Sequence, residues 1–205
     1  MYTPNYFAQK DHQKIFEFIK AYPFATLVSL DNSQEIIATH LPFLIFKEGE
    51  HWILKTHMSK FNPQWKELVG QKSLIIFQEP HAYISPSLYT LKRNVPTWNY
   101  IAVHMYGTTE LIQNKEETMN ILKATIQEFE PKFVPKWEVL DEDYKSALEE
   151  ELVAFELKIE RIEATFKLSQ NKTIKEQERI AIYLLNEEKS VKRELGTWML
   201  QNKKA

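Results

Sequence analysis

The 205-residue sequence contains no cysteine, which excludes disulfides, thiolate metal sites, iron–sulfur clusters and cysteine nucleophiles. Glycine is scarce, with only four residues, at positions 49, 70, 107 and 196. No GxGxxG turn or phosphate-binding loop can be written from them, so the usual Rossmann and P-loop nucleotide sites are excluded. Long apolar runs are missing as well: none reaches the length of a membrane span. The opening MYTPNYFAQKDHQK lacks a basic-then-apolar leader, and the expectation is a cytoplasmic protein without membrane association. Net charge is only −2, from 26 Lys and Arg against 28 Asp and Glu, so no whole-chain field draws the protein onto nucleic acid. Residues 167–205 hold nine Lys and Arg against five Glu, a mild basic tail. The six histidines show no HxH or HExxH spacing, and no metal site is expected.

Aromatic residues, by contrast, make up 13% and apolar residues 43% of the chain, ample for a real core. They are densest at 80–107, PHAYISPSLYTLKRNVPTWNYIAVHMYG, where two aromatic, polar runs flank a basic connector at 90–94. Flat rings beside short hydrogen-bonding side chains suit a planar ligand with polar edges, or a subunit interface.

Periodicity predicts a short helix over 11–20 and then β-type runs at 25–30, 35–46 and 51–57, with turns at 31–33 and 48–50. Asn62-Pro63 opens a short helix, with Asn62 as N-cap, that Gly70 ends. Further strands follow at 72–78 and 98–112. Helices are expected at 116–130 and 143–152 around a proline-bounded segment at 131–136. A long strand at 153–168 slips its alternation near Glu160-Arg161. One or two helices follow from Thr173. About six strands in hairpin order, with helices inserted late, predict a mainly β, α+β chain: an antiparallel barrel with peripheral helices. Residues 1–168 are read as the barrel domain and 169–205 as a C-terminal helical extension.

Along 98–112, period two puts Ile101, Val103 and Met105 on one face and Trp98, Tyr100, His104 and Tyr106 on the other. The run 36–46 is apolar on both faces. A small barrel buried on both sides of a strand needs an external partner, and homodimerisation supplies one.

Residues 54–65, LKTHMSKFNPQW, gather Lys55, Thr56, His57, Ser59 and Lys60 ahead of a helix start. Cations, hydroxyls and free N–H groups converge there as a terminal phosphate requires; an ordinary strand–helix connection gives the same pattern. Trp98, Asn99 and Tyr100 read equally as ligand contacts and as dimer-core aromatics. No catalytic set is evident, since Ser85 and Ser87 flank Pro86 outside any nucleophile elbow. Residues 173–201 read as a helical hairpin that packs or braces a dimer, or as a DNA-reading helix-turn-helix bearing Lys189, Lys192 and Arg193.

With these residues in view, the chain resembles the PaiB-type FMN-binding negative transcriptional regulators. The runs that carry the resemblance are MYTPNYF (1–7), ATHLPF (38–43), HMSKFNPQW (57–65), PHAYISPSLY (80–89), VPTWNYIAVHMYG (95–107) and KLSQNK (167–172). Glu79, Leu88 and Ser59 stand where that family would lead one to expect Gly, Trp and Ala. The resemblance implies a six-stranded antiparallel split β-barrel, related to flavin reductases and pyridoxamine-phosphate oxidases, that forms homodimers with FMN at the subunit interface. Thr56, His57, Ser59 and Lys60 would hold the phosphate, with Thr39 and His40 beside the ring edge. Trp98, Asn99 and Tyr100 would meet the ring or its dimer mate, with Tyr83 and Ser85 brought toward the ligand. It implies a repressor of transcription that contacts DNA directly or indirectly. The alternative is a flavin-dependent oxidoreductase, and haem, which related barrels also hold, is the alternative cofactor.

Overall fold

A computed structural model describes residues 1–49, 51–90 and 93–202. Glu50 of the turn at 48–50, Leu91 and Lys92 of the connector, and the last three residues of the basic tail lie outside the described residues. The strands are β1 (Phe24–Leu30), β2 (Ile36–Pro42), β3 (Leu44–Glu48), β4 (His51–Ser59), β5 (Lys72–Ile84), β6 (Thr97–Ile112) and β7 (Leu152–Lys167). The helices are α1 (His12–Ala21), α2 (Trp65–Leu68), α3 (Lys115–Phe129), α4 (Val134–Glu138), α5 (Glu142–Glu150), α6 (Ile174–Leu185) and α7 (Ser190–Gln201). Hydrogen-bonded neighbours run β2-β1-β5-β6-β7-β4-β3, and the β1–β2, β1–β5, β3–β4 and β4–β7 pairings are antiparallel. The α+β class and the hairpin order are those expected.

The sheet has seven strands where six were expected, because the run 35–46 is two strands. Pro42 has no N–H to give a ladder, and the next amide, Phe43 N, donates instead to Pro23 O at 2.9 Å. The chain changes partner there: residues 36–42 pair with β1 and residues 44–48 with β4. β2 and β3, the two ends of the strand order, are thus consecutive segments of one run. β5 continues past its expected end at Gln78. Phe77 and Pro80 are both buried, as are Ala82 and Ile84, so the alternation slips by one residue and the strand resumes. The slip expected in β7 is present: Phe155 and Leu157 are buried on one phase, Ala164 and Phe166 on the other.

The chain divides into two compact units, one of residues 1–18, 77–104 and 163–205, the other of 19–76 and 105–162. In the first, Phe18, Phe166 and Trp198 form a buried triangle with ring centroids 5.7 to 5.9 Å apart. α6 starts with a capping box between Thr173 and Glu176, which satisfies two amide donors that a helix start otherwise leaves open. In the second unit, Leu27, Leu54, Leu68, Ile75, Phe155 and Leu157 are fully buried, the apolar burial that drives folding.

Candidate functional site

Six of the expected site residues, Thr39, His40, Thr56, His57, Ser59 and Lys60, belong to the second unit. β2 carries Thr39 and His40, and β4 places Thr56, His57 and Ser59 by alternation. Leu54, Thr56 and Met58 are buried on one face, while Lys55, His57 and Ser59 share the other. Thr56 therefore does not stand beside His57. Its hydroxyl donates to Pro42 O at 2.6 Å and ties β4 to the end of β2. Ser59 and Lys60 are exposed at the end of the strand. Lys60 Nζ donates to Glu150 O at 3.1 Å, which leaves two of its three N–H groups for a ligand. Ser59 Oγ accepts from Phe61 N at 3.3 Å.

The helix expected from Asn62-Pro63 is a single turn, Trp65–Leu68, with Gln64 at the cap position. Asn62 Oδ1 accepts from Gln64 N at 3.0 Å in a local turn. So short a helix offers little dipole, and the candidate anion site rests on side chains instead. Thr39 is joined to this turn: its hydroxyl donates to Gln64 Oε1 at 2.5 Å and accepts from Asn62 Nδ2 at 2.9 Å. Buried Gln64 also donates to Ser29 Oγ at 3.0 Å. His40 faces the other way on β2. It is exposed, hydrogen-bonded through Nδ1 to Thr26 Oγ1 at 3.0 Å, and stacked near Phe24.

Two further residues shape this group. Lys55 bridges Glu117 at 3.0 Å and Glu156 at 3.2 Å. Burial works against its charge, but the two carboxylates outweigh it and hold the ammonium pKa above its ordinary value. Period two places it beside His57, within the cationic group the sequence gathers at 54–60. Gln64 lies in the run HMSKFNPQW, but nothing in its type announces a buried clamp.

The Nδ1 of His57 is buried without a hydrogen-bond partner among the described residues, and burial pushes its pKa below the ordinary 6.5. The unfolded chain therefore binds a proton near pH 6.5 that the folded chain refuses. The stability tied to neutral His57 is complete above that value and is lost as pH falls from there through the lowered folded value. His104 adds a slope of the same sign, since burial and then the N-terminal ammonium lower its pKa against Glu163. Thermal melts from about pH 7.5 to about pH 5 should show falling stability, with a shallower slope in His57→Gln. A variant that keeps the full wild-type slope would refute the assignment.

The other five residues, Tyr83, Ser85, Trp98, Asn99 and Tyr100, belong to the first unit. β5 alternation puts His81, Tyr83 and Ser85 on its outer side, and β6 puts Trp98 and Tyr100 on its own. Trp98 is 52% and Tyr83 50% exposed. Their ring centroids are 6.2 Å apart, and His81 lies 5.5 Å from Trp98. Asn99 points to the opposite side. It is fully buried, and its amide donates to Ser169 Oγ at 2.9 Å. Ser85 Oγ caps the 3-10 turn at 86–88 and meets Ser87 Oγ at 2.9 Å. His81, two residues before Tyr83, is the member of this aromatic surface that the motif did not single out.

Each unit offers one part of the chemistry a flavin mononucleotide needs. Exposed Ser59 and Lys60 suit a phosphate ester, and the uncovered rings of Tyr83 and Trp98 suit a planar heterocycle. Thr56 and Asn99 spend their polar groups internally.

The α+β architecture, with strands in this antiparallel order, is that of the split-barrel proteins. The family described as "Putative FMN-binding domain" matches residues 1–161. The chain is 38% identical over 192 residues to the protease synthase and sporulation protein PAI 2 of Bacillus subtilis strain 168, covering 92% of this chain and 91% of that protein. It belongs to the PaiB-type FMN-binding family. Among solved structures, it is similar to the FAD and heme binding protein from Mycobacterium smegmatis, with TM-score 0.60, 15% identity and coverage of 78% and 73% of the two chains. It is likewise similar to the flavocytochrome Anf3 from Azotobacter vinelandii, with TM-score 0.60, 17% identity and coverage of 80% and 72%. At these identities the two structures speak for the fold alone.

Proposed function

We propose that the chain binds FMN as a homodimer and acts as a negative transcriptional regulator in the cytoplasm. The observation that carries the flavin reading is the uncovered aromatic surface of His81, Tyr83, Trp98 and Tyr100. Rings of this size are rarely left in water without a partner or a ligand. In this reading Ser59 and Lys60 hold the phosphate, with His57 on the same face of β4. His40 lies toward the ring edge or the second subunit, while Thr39, on the opposite face of β2, braces the 62–64 turn, and Tyr83, Ser85, Trp98 and Tyr100 meet the ring or the second subunit. Asn99 and Thr56 act from behind, each holding its strand in place. The flavin when bound supplies one- and two-electron redox chemistry and a visible chromophore. Residues 1–168 act as the flavin-binding part and the helical hairpin of 169–205 as packing against it.

Dimerisation is supported by the outer face of the β1–β2 ribbon. Phe24 is 65% and Ile36 75% exposed, and Leu30 is exposed beside them. The register sets Leu30 opposite Ile36 and Val28 opposite Ala38, with the polar pair Thr26 and His40 between them and Phe24, a largely apolar strip that a second copy can cover. Direct DNA reading by α7 finds no support in its cations. Lys192 pairs with Glu187 at 2.8 Å, and Arg193 donates to the carbonyls of Glu187 and Glu188. Repression through DNA contacted directly or indirectly remains the reading, and the engagement of Lys192 and Arg193 favours the indirect route.

The double substitution Phe24→Glu with Ile36→Lys tests the shared-interface reading. Sedimentation should find the wild type dimeric and the variant monomeric, and the variant should lose flavin on desalting. A wild type that sediments as a monomer with flavin bound would overturn the dimer without touching the flavin.

A further inference from the structure

Two of the runs that carry the family resemblance, MYTPNYF and KLSQNK, have no part in the flavin reading. In the first unit they converge. Asn5, Tyr6 and Phe7 from one and Gln170 and Lys172 from the other line a single cleft of about 480 Å³, within the size range of small-molecule sites. The start of α1 and α6 and the end of α7 complete it, through Lys14, Gln177 and Asn202. Its floor is apolar, made by buried Phe7 and Phe166.

The polar groups around that floor are selectively engaged. Asp11 spends Oδ1 on the start of α1, accepting from Gln13 N at 2.9 Å and Lys14 N at 3.3 Å. Gln170 is used locally, accepting from Leu168 N at 2.7 Å and donating to Phe166 O. Lys14 donates to Asn202 Oδ1 at 3.2 Å. Lys172 donates to Asn94 Oδ1 at 2.7 Å and lies 4.3 Å over the Tyr89 ring. Each ammonium has three N–H groups, so Lys14 keeps donors to spare at the cleft, while the Lys172 ammonium is turned to Asn94 and Tyr89, which do not line it, and adds positive charge beside the lining. Gln177 gives its N–H to Lys172 O at 2.8 Å, and its carbonyl oxygen remains as an acceptor. A cation with donors to spare, a second beside the lining, amide edges and an aromatic floor, set against one carboxylate, define the complement of a particular solute class.

We propose that this cleft is a second ligand site, for a small organic carboxylate that carries further hydroxyl or amide groups. Its carboxylate meets Lys14 in the field of Lys172, its polar substituents meet Asn5 and Gln177, and its carbon skeleton lies on Phe7 and Phe166.

Calorimetric titration of the full chain with citrate, malate and glutamate tests the site. At least one should bind saturably, and Lys14→Met should weaken it by about tenfold, the usual worth of a charge-assisted hydrogen bond, with a smaller loss in Lys172→Met. Flavin retention should be unchanged in both variants. Lys14 lies at the rim, so its variant keeps the test valid even if Lys172, packed on Tyr89, is needed for folding. Three results would overturn the proposal: no saturable binding of any of the three acids at millimolar concentration, equal affinity in wild type and Lys14→Met, or competitive displacement of the acid by FMN.

Discussion

Replacement of Gly107 by valine should cost about 3 kcal/mol or more, and the chain should melt about 10 °C lower or fail to fold. Gly107 lies in β6 within the second unit, where β7 passes unusually close. A Cβ built on it would stand 2.4 Å from the carbonyl oxygen of Lys158 and 3.0 Å from its carbon. Both are backbone atoms of a paired strand, so neither can swing aside as a flexible side chain would. Relief requires the two strands to part locally, with loss of ladder hydrogen bonds and of the packing beneath them. Gly107→Ala should follow in the same direction with a smaller loss. Chemical denaturation monitored by circular dichroism measures both. A valine variant within about 0.5 kcal/mol of wild type, the scatter of a neutral surface change, would show that the approach is looser than described.

The second large effect is expected at Asn99. Its amide donates to Ser169 Oγ at 2.9 Å, and the same hydroxyl donates back to Asn99 Oδ1 at 3.2 Å. Both residues are buried, and Ser169 holds a left-handed backbone with φ of 64°, a conformation that costs free energy unless its surroundings fix it. Asn99→Ala leaves the hydroxyl buried without its partner and opens a small void, which should cost about 3 kcal/mol. A double-mutant cycle with Ser169→Ala should return a coupling of about 1–2 kcal/mol. Because Asn99 points away from the aromatic surface, the folded variant should bind FMN as the wild type does. A folded Asn99→Ala protein with flavin affinity reduced tenfold would place the residue on the ligand.

Asn99 also shows how far the sequence could be read. The motif VPTWNY groups Trp98, Asn99 and Tyr100 as neighbours, whereas period two separates the middle residue from the other two. The same rule separates Thr56 from His57. Alternation was legible in both strands, and it already set Ile101, Val103 and Met105 apart from His104 and Tyr106. It sets Trp98 and Tyr100 with that second pair and leaves Asn99, like Thr56, on the buried side, where the motif alone groups it with the ligand contacts. The split of 35–46 was less legible. Pro42 announces a missing donor, but the decisive event is the Phe43 amide turning to Pro23 O, a contact across 20 residues that no local pattern encodes. The buried clamp of Gln64 on Thr39 and Ser29 is of the same kind. What could be read locally was read: the helix spacing of 116–130, the slip in the last strand, the turn residues and the aromatic density of 80–107. Partners distant in sequence were not, because side-chain type alone does not name them.

The flavin is the centre of this reading, and its most direct measurement is a visible absorbance spectrum. The purified chain is mixed with excess FMN, desalted and scanned. Retained flavin bands at a stoichiometry near one per chain are expected. A colourless protein, from a preparation shown to be folded by circular dichroism, would contradict it.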